Sequence, residues 1–288
     1  MEIKKVGVIG AGAMGSGIAQ VFAQNSFQVV MRDIADEFLQ RGMKNIEQGL
    51  GRMVAKGKLS EGEKAAILER IKPTLSMADL KDVDFVVEAA IENLDLKKQI
   101  FKELDELTRP EVILSTNTSS LSITEIAAVT GRPDKVAGMH FFNPAPVMKL
   151  VEVVKGLLTS DETIQTIRDL AEKSLGKITI LVKKDTAGFV VNRIMMPQLM
   201  EAIRIYEEGI ASIEDIDKAV KHGLNYPMGP FELMDLTGLD IGYAVNEVLR
   251  QELPPELKHT TPHTLKAMVK AGRLGRKTGE GWYKYEQK

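Results

Sequence analysis

The stretch GAGAMG at positions 10–15 places glycines at Gly10, Gly12 and Gly15, which is the spacing G-x-G-x-x-G. It follows the apolar run KKVGVIG and opens the segment AMGSGIAQVFAQN, whose apolar residues have helical spacing. Between a strand and a helix, such glycines permit a tight turn, let a pyrophosphate approach the backbone, and let the helix pack closely on the strand. The segment therefore predicts a dinucleotide-binding unit in which the backbone of this turn, including Ala13 and Met14, faces the phosphates.

A second strand-like run, FQVVMRD, ends at Asp33, which lies 18 residues after Gly15. A carboxylate at this distance can accept hydrogen bonds from both ribose hydroxyls of NAD. It would repel the 2′-phosphate of NADP, but the adjacent Arg32 can pair with a phosphate, so NADP stays possible. The alternative interpretation is a tight turn with a surface aspartate, and Arg32 as an ordinary surface charge.

Strand-like and helical patterns alternate through the first 184 residues. This alternation predicts an α/β Rossmann-type doubly wound sheet. After Lys184 the periodicity is helical, so we predict two domains, an NAD-binding Rossmann-type domain at 1–184 and a smaller all-α domain at 185–288. Residues 36–70 are interpreted as one helical region, and the further strand candidates are 82–90, 111–120, 135–142, 149–154 and 177–182.

Composition excludes several classes of function. The 288 residues contain no cysteine, which excludes disulfides, thiolate catalysis and cysteine-based zinc sites. The net charge of −2 gives no reason to expect nucleic acid as a partner, and no apolar run approaches membrane-spanning length. His259 and His263 are separated by Pro262 and no nearby acid completes a ligand set, so no metal site is predicted. We expect a cytoplasmic protein.

The segment GMHFFNPAPVMKLVEVV places His140 at the end of one apolar stretch and Glu152 inside the next. A glutamate among valines is costly to bury unless something pairs with it. The prolines at 144 and 146 indicate a turn, and the resulting hairpin would bring Glu152 alongside the imidazole. A carboxylate on one ring nitrogen fixes the tautomer and makes the other a better proton acceptor, as alcohol oxidation requires. From spacing alone, a core histidine with satisfied hydrogen bonds remains the alternative.

These motifs resemble those of the L-3-hydroxyacyl-CoA dehydrogenase family, together with EAAIEN, STNTSSLSI, GFVVNR, NYPMGPFELMDLTGLD and the tail GRLGRKTGEGWYKY. The resemblance covers essentially the whole chain and is greatest to single-function bacterial members. It implies hydride transfer between NAD and a short-chain substrate pair, (S)-3-hydroxybutyryl-CoA and acetoacetyl-CoA, in fatty acid or butyrate metabolism. It also implies a homodimer formed through the C-terminal domain.

The resemblance further implies roles at the reacting carbon. His140 and Glu152 carry over as the acid/base pair. Ser119, in the Asn-Thr-Ser-Ser-Leu motif, and Asn192, in Gly-Phe-Val-Val-Asn-Arg, carry over as hydrogen-bonding groups at the C3 oxygen, where charge develops. Without the resemblance, Ser119 would be interpreted as a turn or cap residue and Asn192 as an ordinary polar group on a helix.

Two further sets of residues are implied at the ligands. Glu92, Lys97 and Asn143 match family positions near the cofactor. Arg52 and Lys56 share a helix face because they are four residues apart, and they match family contacts to CoA. The residue types alone equally allow Glu92 as a helix-capping acid, and the lysines and arginine as solvated helix charges.

Two other functions stay open. A β-hydroxyacid dehydrogenase acting on a free acid would share the two-domain plan, but it would need no basic patch for CoA and typically uses a lysine base. A nucleotide-binding protein without turnover is the other alternative. The presence of Ser119, His140, Glu152 and Asn192 argues against that loss of activity.

Overall fold

A computed structural model describes residues 2–286 and divides the chain into two compact units, one through Asp185 and one from Thr186 onward. The strands, all in the first unit, are β1 Lys5–Ile9, β2 Gln28–Arg32, β3 Ile71–Thr74, β4 Phe85–Glu88, β5 Ile113–Thr116, β6 Val136–Phe141, β7 Leu150–Val154 and β8 Ile178–Val182. Its helices are α1 Ala13–Gln24, α2 Asp36–Ala55, α3 Glu61–Glu69, α4 Leu94–Leu107, α5 Ile123–Ala127 and α6 Asp161–Asp169. The second unit contains α7 Val191–Glu207, α8 Ile213–Gly223, α9 Pro230–Thr237, α10 Leu239–Glu252 and α11 His263–Lys270.

The eight strands form one sheet in the order β3-β2-β1-β4-β5-β6-β7-β8. Every neighbouring pair is parallel except β6 and β7, which are antiparallel. The chain therefore runs outward from β1 in one direction and then, from β4, in the other. This confirms the predicted doubly wound α/β sheet, whose ligands bind beyond the carboxyl ends of the strands where the order reverses, here between β1 and β4.

The central strands β1, β4 and β5 are buried along almost their whole length, as is typical of a sheet covered on both faces. All four residues of β4, Phe-Val-Val-Glu, are buried, including the glutamate. Helix α2 buries one stripe, formed by Leu39, Ile46 and Leu50, at the spacing expected for a helix that covers a sheet.

The helical region predicted over 36–70 consists of two helices. Helix α2 ends at Ala55, and Gly57 has a left-handed φ of 66°. Helix α3 then begins after Ser60, which forms a capping box with Glu63. Strand β3 was not predicted at all, because it has four residues and includes Pro73, which is tolerated only because β3 is an edge strand.

The helical unit has its own core, to which the C-terminal tail is fixed. The Asp235 carboxylate is buried and accepts hydrogen bonds from the backbone N–H groups of Trp282 and Tyr283, both at 2.9 Å. The indole of Trp282 packs edge-on against Phe231, with 4.8 Å between ring centroids.

Within residues 2–286, no helix is both long enough and apolar enough to cross a membrane.

Candidate active site

The turn between β1 and α1 has the geometry of an anion-binding site. Gly10 has a left-handed φ of 98°, and a Cβ there would lie 2.5 Å from the carbonyl oxygen of Ala89. A Cβ on Gly15 would lie 1.9 Å from the Gly10 oxygen, so the helix packs directly on the turn. A Cβ on Gly12, by contrast, would have nothing within 4 Å. The turn is thus tight where backbone meets backbone and open where the pyrophosphate of a dinucleotide would lie.

Helix α1 presents its N-terminus at this turn. Gly12 is the N-cap residue, and Ala13 and Met14 are the first two residues of the helix. The first helical turn carries no acidic side chain that would offset the positive end of the helix dipole. These features fit a phosphate group of the cofactor.

Asp33 lies beside the glycine turn. Its Oδ2 accepts a hydrogen bond from the backbone N–H of Ala11 at 2.6 Å, and its Oδ1 accepts one from Ile34 at 2.6 Å. The carboxylate is therefore fixed next to the turn, where a ribose would follow the pyrophosphate. The Arg32 side chain is directed toward the neighbouring strand β3, with Nε 3.4 Å from the carbonyl oxygen of Leu75.

His140 and Glu152 form a buried pair. They lie directly opposite each other in the antiparallel β6–β7 ladder, and Nδ1 of His140 is 2.8 Å from Oε2 of Glu152. Glu152 is fully buried and His140 is 6% exposed. The ring of Phe142 lies against the imidazole, with 4.6 Å between centroids. An imidazole whose Nδ1 is hydrogen-bonded to a carboxylate can exchange a proton through Nε2.

Several groups of the loop that follows β5 are hydrogen-bonded to one carboxylate oxygen of Glu92. Oε1 of Glu92 accepts hydrogen bonds from the backbone N–H of Ser119 at 2.9 Å and from the Thr118 hydroxyl at 2.5 Å, and the Ser119 Oγ lies 3.4 Å away. The Asn117 side chain accepts a hydrogen bond from the Phe141 backbone N–H at 2.8 Å. Asn117, which the sequence analysis did not single out, thus ties the Ser119 loop to the strand of His140.

Lys97 belongs to a buried network beneath that loop. Its side chain is 1% exposed, and Nζ lies 2.7 Å from Oε1 of Glu88 and 3.5 Å from Oε2 of Glu92. The other oxygen of Glu88, itself fully buried, accepts from the Thr116 hydroxyl at 2.7 Å. Lys97 is therefore not a solvated helix charge, and α4 is capped by Asn93 rather than by Glu92. The sequence analysis did not single out Glu88. The only signal for it in the sequence is its position as an acidic residue at the end of an otherwise apolar strand.

The remaining predicted residues lie on other elements of the chain. Asn143 is exposed in the β6–β7 connection. Arg52 and Lys56 are exposed at the end of α2, and neither forms an ion pair within residues 2–286. Asn192 is buried and lies in the first turn of α7, in the helical unit.

The sheet topology gathers the residues of the first unit. Five of them lie at or just beyond the carboxyl ends of mutually parallel strands, so they share one edge of the sheet. They are Gly10 after β1, Asp33 after β2, Glu88 at the end of β4, Ser119 after β5 and His140 near the end of β6.

Two models of the same protein family match consecutive parts of the chain. A family model described as "3-hydroxyacyl-CoA dehydrogenase, NAD binding domain" matches residues 5–186. A second, described as "3-hydroxyacyl-CoA dehydrogenase, C-terminal domain", matches residues 188–285.

Individual relatives cover the full length. A probable 3-hydroxybutyryl-CoA dehydrogenase of Deinococcus radiodurans is 51% identical over 98% of this chain and 100% of its own length. A 3-hydroxybutyryl-CoA dehydrogenase of Clostridioides difficile is 48% identical over 98% of this chain and 100% of its own. The crystal structure of (S)-3-hydroxybutyryl-CoA dehydrogenase from Ralstonia eutropha superposes with a TM-score of 0.92 at 49% identity, covering 99% of this chain and 100% of that one.

Proposed function

The chain belongs to the 3-hydroxyacyl-CoA dehydrogenase family, and from this membership we propose that it interconverts (S)-3-hydroxybutyryl-CoA and acetoacetyl-CoA. The family's NAD binding domain is present, so NAD is its cofactor. The choice of a short-chain substrate is supported by relatives that carry the name 3-hydroxybutyryl-CoA dehydrogenase. The observation that carries the proposed chemistry is the buried pair of His140 and Glu152.

In the oxidative direction, Nε2 of His140 takes the proton of the C3 hydroxyl as the C3–H bond breaks and the carbonyl forms. NAD, when bound, supplies the acceptor for the hydride that leaves C3. In the reductive direction, the protonated imidazole returns the proton to the oxygen of C3. One group thus serves as base and acid, as microscopic reversibility requires.

Glu152 supports this exchange in two ways. Its bond to Nδ1, 2.8 Å long, selects the tautomer in which Nε2 accepts the proton. Because both side chains are buried, the carboxylate also offsets the positive charge that the imidazole acquires, where water cannot do so.

Ser119 and Asn192 are the proposed hydrogen-bonding groups at the C3 oxygen. Ser119 is supported by its fixed position, since Glu92 holds its backbone N–H and approaches its hydroxyl. Arg52 and Lys56 are the proposed contacts to CoA phosphates, supported by their exposure and by the absence of an ion pair to either within residues 2–286.

The geometry of the sheet edge supports the proposed cofactor residues. The turn from Gly10 to Gly15 would hold the pyrophosphate and Asp33 the adenosine ribose, and Glu92, Lys97 and Asn143 are proposed at the nicotinamide side. Because Lys97 is buried, its proposed contribution is positive charge beneath Glu92.

We also propose that the protein is a homodimer formed through its helical unit. Several large apolar side chains on that unit are more than half exposed, namely Ile194, Ile210, Leu224 and Ile241. Light scattering in solution tests the dimer, and charged substitutions at these positions should dissociate it. A cytoplasmic location stays a prediction, to be checked by cell fractionation.

The decisive experiment measures NADH oxidation with acetoacetyl-CoA and, in parallel, with free acetoacetate, alongside NADH binding. Turnover of the thioester but not of the free acid is expected. Turnover of the free acid alone would favour the β-hydroxyacid alternative. NADH binding with neither turnover would favour the non-catalytic alternative.

A further inference from the structure

The connection between β6 and β7, residues 142–149, links the strand of His140 to the strand of Glu152 and carries Asn143. It is poor in backbone donors, because Pro144 and Pro146 have no N–H. Its internal hydrogen bonds run from the N–H groups at 147 and 148 to the Pro144 carbonyl, at 2.9 and 3.0 Å. The connection therefore depends on neighbouring elements to fix its remaining carbonyl groups.

Lys177 supplies those bonds. Its Nζ donates to the carbonyl oxygen of Ala145 at 2.7 Å and to that of Met148 at 2.8 Å. The next residue, Ile178, donates its backbone N–H to the carbonyl of Lys149 at 2.8 Å. Two adjacent residues thus hold three carbonyls of one connection. Among residues 2–286, no carboxylate lies within salt-bridge distance of Lys177, so its ammonium is committed to the backbone.

Lys177 is itself held rigidly. Its backbone N–H donates to the Ala171 carbonyl at 2.9 Å, just after Gly176 turns the chain with a φ of 62°. Strand β8 starts at the following residue, with Ile178 in register with Leu150 of β7. Partial burial lowers the pKa of Lys177, because the ammonium is partly removed from water.

The other side of the connection packs against α1, the helix that follows the glycine turn. A Cβ on Gly17, in α1, would lie 3.3 Å from the Ala145 Cβ and 3.3 Å from the Pro146 Cδ. Ala145 and Pro146 therefore pack against α1, whose N-terminus faces the proposed pyrophosphate, and they belong to the connection that joins the two strands of the acid/base pair. A displacement of this connection would move the cofactor-binding helix relative to Asn143 and His140.

We propose that Lys177 is a positioning residue for this dehydrogenase, fixing the β6–β7 connection so that Asn143, α1 and the His140–Glu152 hairpin keep one arrangement. It touches neither substrate nor cofactor and acts through the Ala145 and Met148 carbonyls. The proposal rests on the proposed function, because it concerns the arrangement of that site. A residue that only stabilised the fold would change the unfolding temperature and leave ligand binding unchanged.

The test compares Lys177→Met and Lys177→Arg with Lys173→Met, an exposed lysine whose ion pair is with Asp169. For each variant, the NADH dissociation constant is measured by NADH fluorescence. The kcat, the KM values for NADH and for acetoacetyl-CoA, and the unfolding temperature are measured as well. Lys177→Met should weaken NADH binding about tenfold, the size expected for loss of hydrogen bonds from a charged donor. Its kcat should fall, while KM for acetoacetyl-CoA changes less.

Lys177→Arg should recover part of the NADH affinity, because a guanidinium can also donate to two carbonyls, and Lys173→Met should match the native protein. If Lys177→Met does not fold, Gly17→Ala displaces the same connection from the opposite side and should also weaken NADH binding. NADH affinity and kcat at native values in folded Lys177→Met would overturn the inference. A native protein that neither binds NADH nor reduces acetoacetyl-CoA would instead overturn the proposed function.

Discussion

His140 and Glu152 are opposed residues of one antiparallel ladder, and 2.8 Å separates Nδ1 of the imidazole from Oε2 of the carboxylate. Side chains alternate between the two faces of a sheet, so a slip of one residue in this pairing would move Glu152 to the other face. The register of β6 on β7 thus specifies the pair. The carboxylate is fully buried, and its contact with the imidazole offsets part of the cost of that burial.

Removing the imidazole should abolish most turnover. His140→Gln is expected to lower kcat at least ~100-fold, the usual lower bound for general acid–base catalysis. The NADH dissociation constant, measured by fluorescence, should barely change, because the nucleotide is proposed to bind to other residues. Near-native turnover in this variant would contradict the mechanism.

Glu152→Gln tests the other half of the pair. An amide can accept the Nδ1–H bond but cannot offset the charge of the imidazolium, so kcat should fall by a similar or smaller factor. The pH dependence of kcat should also shift, which a purely structural role would not produce. An unchanged pH profile would reduce Glu152 to a packing role.

Charge reversal at Arg52 and Lys56 should weaken CoA binding. The double variant Arg52→Glu/Lys56→Glu is expected to raise KM for acetoacetyl-CoA at low salt, and the effect should shrink as ionic strength shortens the range of the interaction. KM for NADH should not move. Lys44→Glu, an exposed position two turns earlier on α2, is the matched control. An unchanged KM for acetoacetyl-CoA at low salt would leave the pair as solvated charges.

The local patterns of the sequence predicted much of this structure. The glycine spacing predicted the tight turn between β1 and α1, and alternating patterns predicted seven of the eight strands and the doubly wound sheet. The two prolines before β7 predicted the hairpin that joins His140 to Glu152. These features succeed because each depends on residues close together in the chain, where turn chemistry and periodicity act directly.

Contacts between distant residues could not be predicted in the same way. Glu88 pairs with Lys97 and Thr116, which are 9 and 28 residues away, and a lysine on an amphipathic helix gives no sign that it will be buried. Lys177 contacts Ala145 across 32 residues, through a backbone carbonyl that carries no side-chain signal. Such contacts arise from strand order, which local patterns do not determine.

Stability should depend on pH through Asp84, which joins the starts of β1 and β4. Burial acts to raise the pKa of Asp84, but hydrogen bonds from the N–H groups of Lys4 and Lys5 and from Arg109 outweigh it, and the net pKa is lowered. A lowered carboxyl pKa stabilises the fold above the unfolded-state value, and this contribution disappears as pH falls through the folded-state value.

Asp84→Asn should therefore lower the free energy of unfolding by about 1–2 kcal/mol at pH 7. The difference from the native protein should narrow below pH ~4, where the native carboxyl also becomes protonated. Urea unfolding, followed by circular dichroism at pH 7 and at pH ~3, measures the free energy of unfolding of both proteins. Asp82→Asn, at an exposed neighbouring position, is the control. A difference that stays constant down to pH ~3 would show that the charge of Asp84 contributes nothing.

The cofactor preference depends on the balance between Asp33 and Arg32. The Asp33 carboxylate is held by backbone N–H groups at 2.6 Å on both oxygens, so it cannot easily turn away from a ligand at the glycine turn. A 2′-phosphate placed there would meet like charge in a partly desolvated site, a penalty of up to a few kcal/mol. The guanidinium of Arg32, directed toward the Leu75 carbonyl, would have to reorient before it could pair with that phosphate.

We therefore expect a higher kcat/KM with NADH than with NADPH, and a preference that Arg32 limits in size. Asp33→Ser should reduce or invert it, mostly through KM, because the ribose lies far from the carbon that exchanges hydride. Asp36→Ser, at the exposed start of α2, should leave the ratio unchanged. A native protein that already favours NADPH would show that Arg32 outweighs Asp33. In that case the carboxylate at position 33 serves to hold the backbone of Ala11, in the glycine turn, and of Ile34, after β2, and the ribose must be recognised by another group.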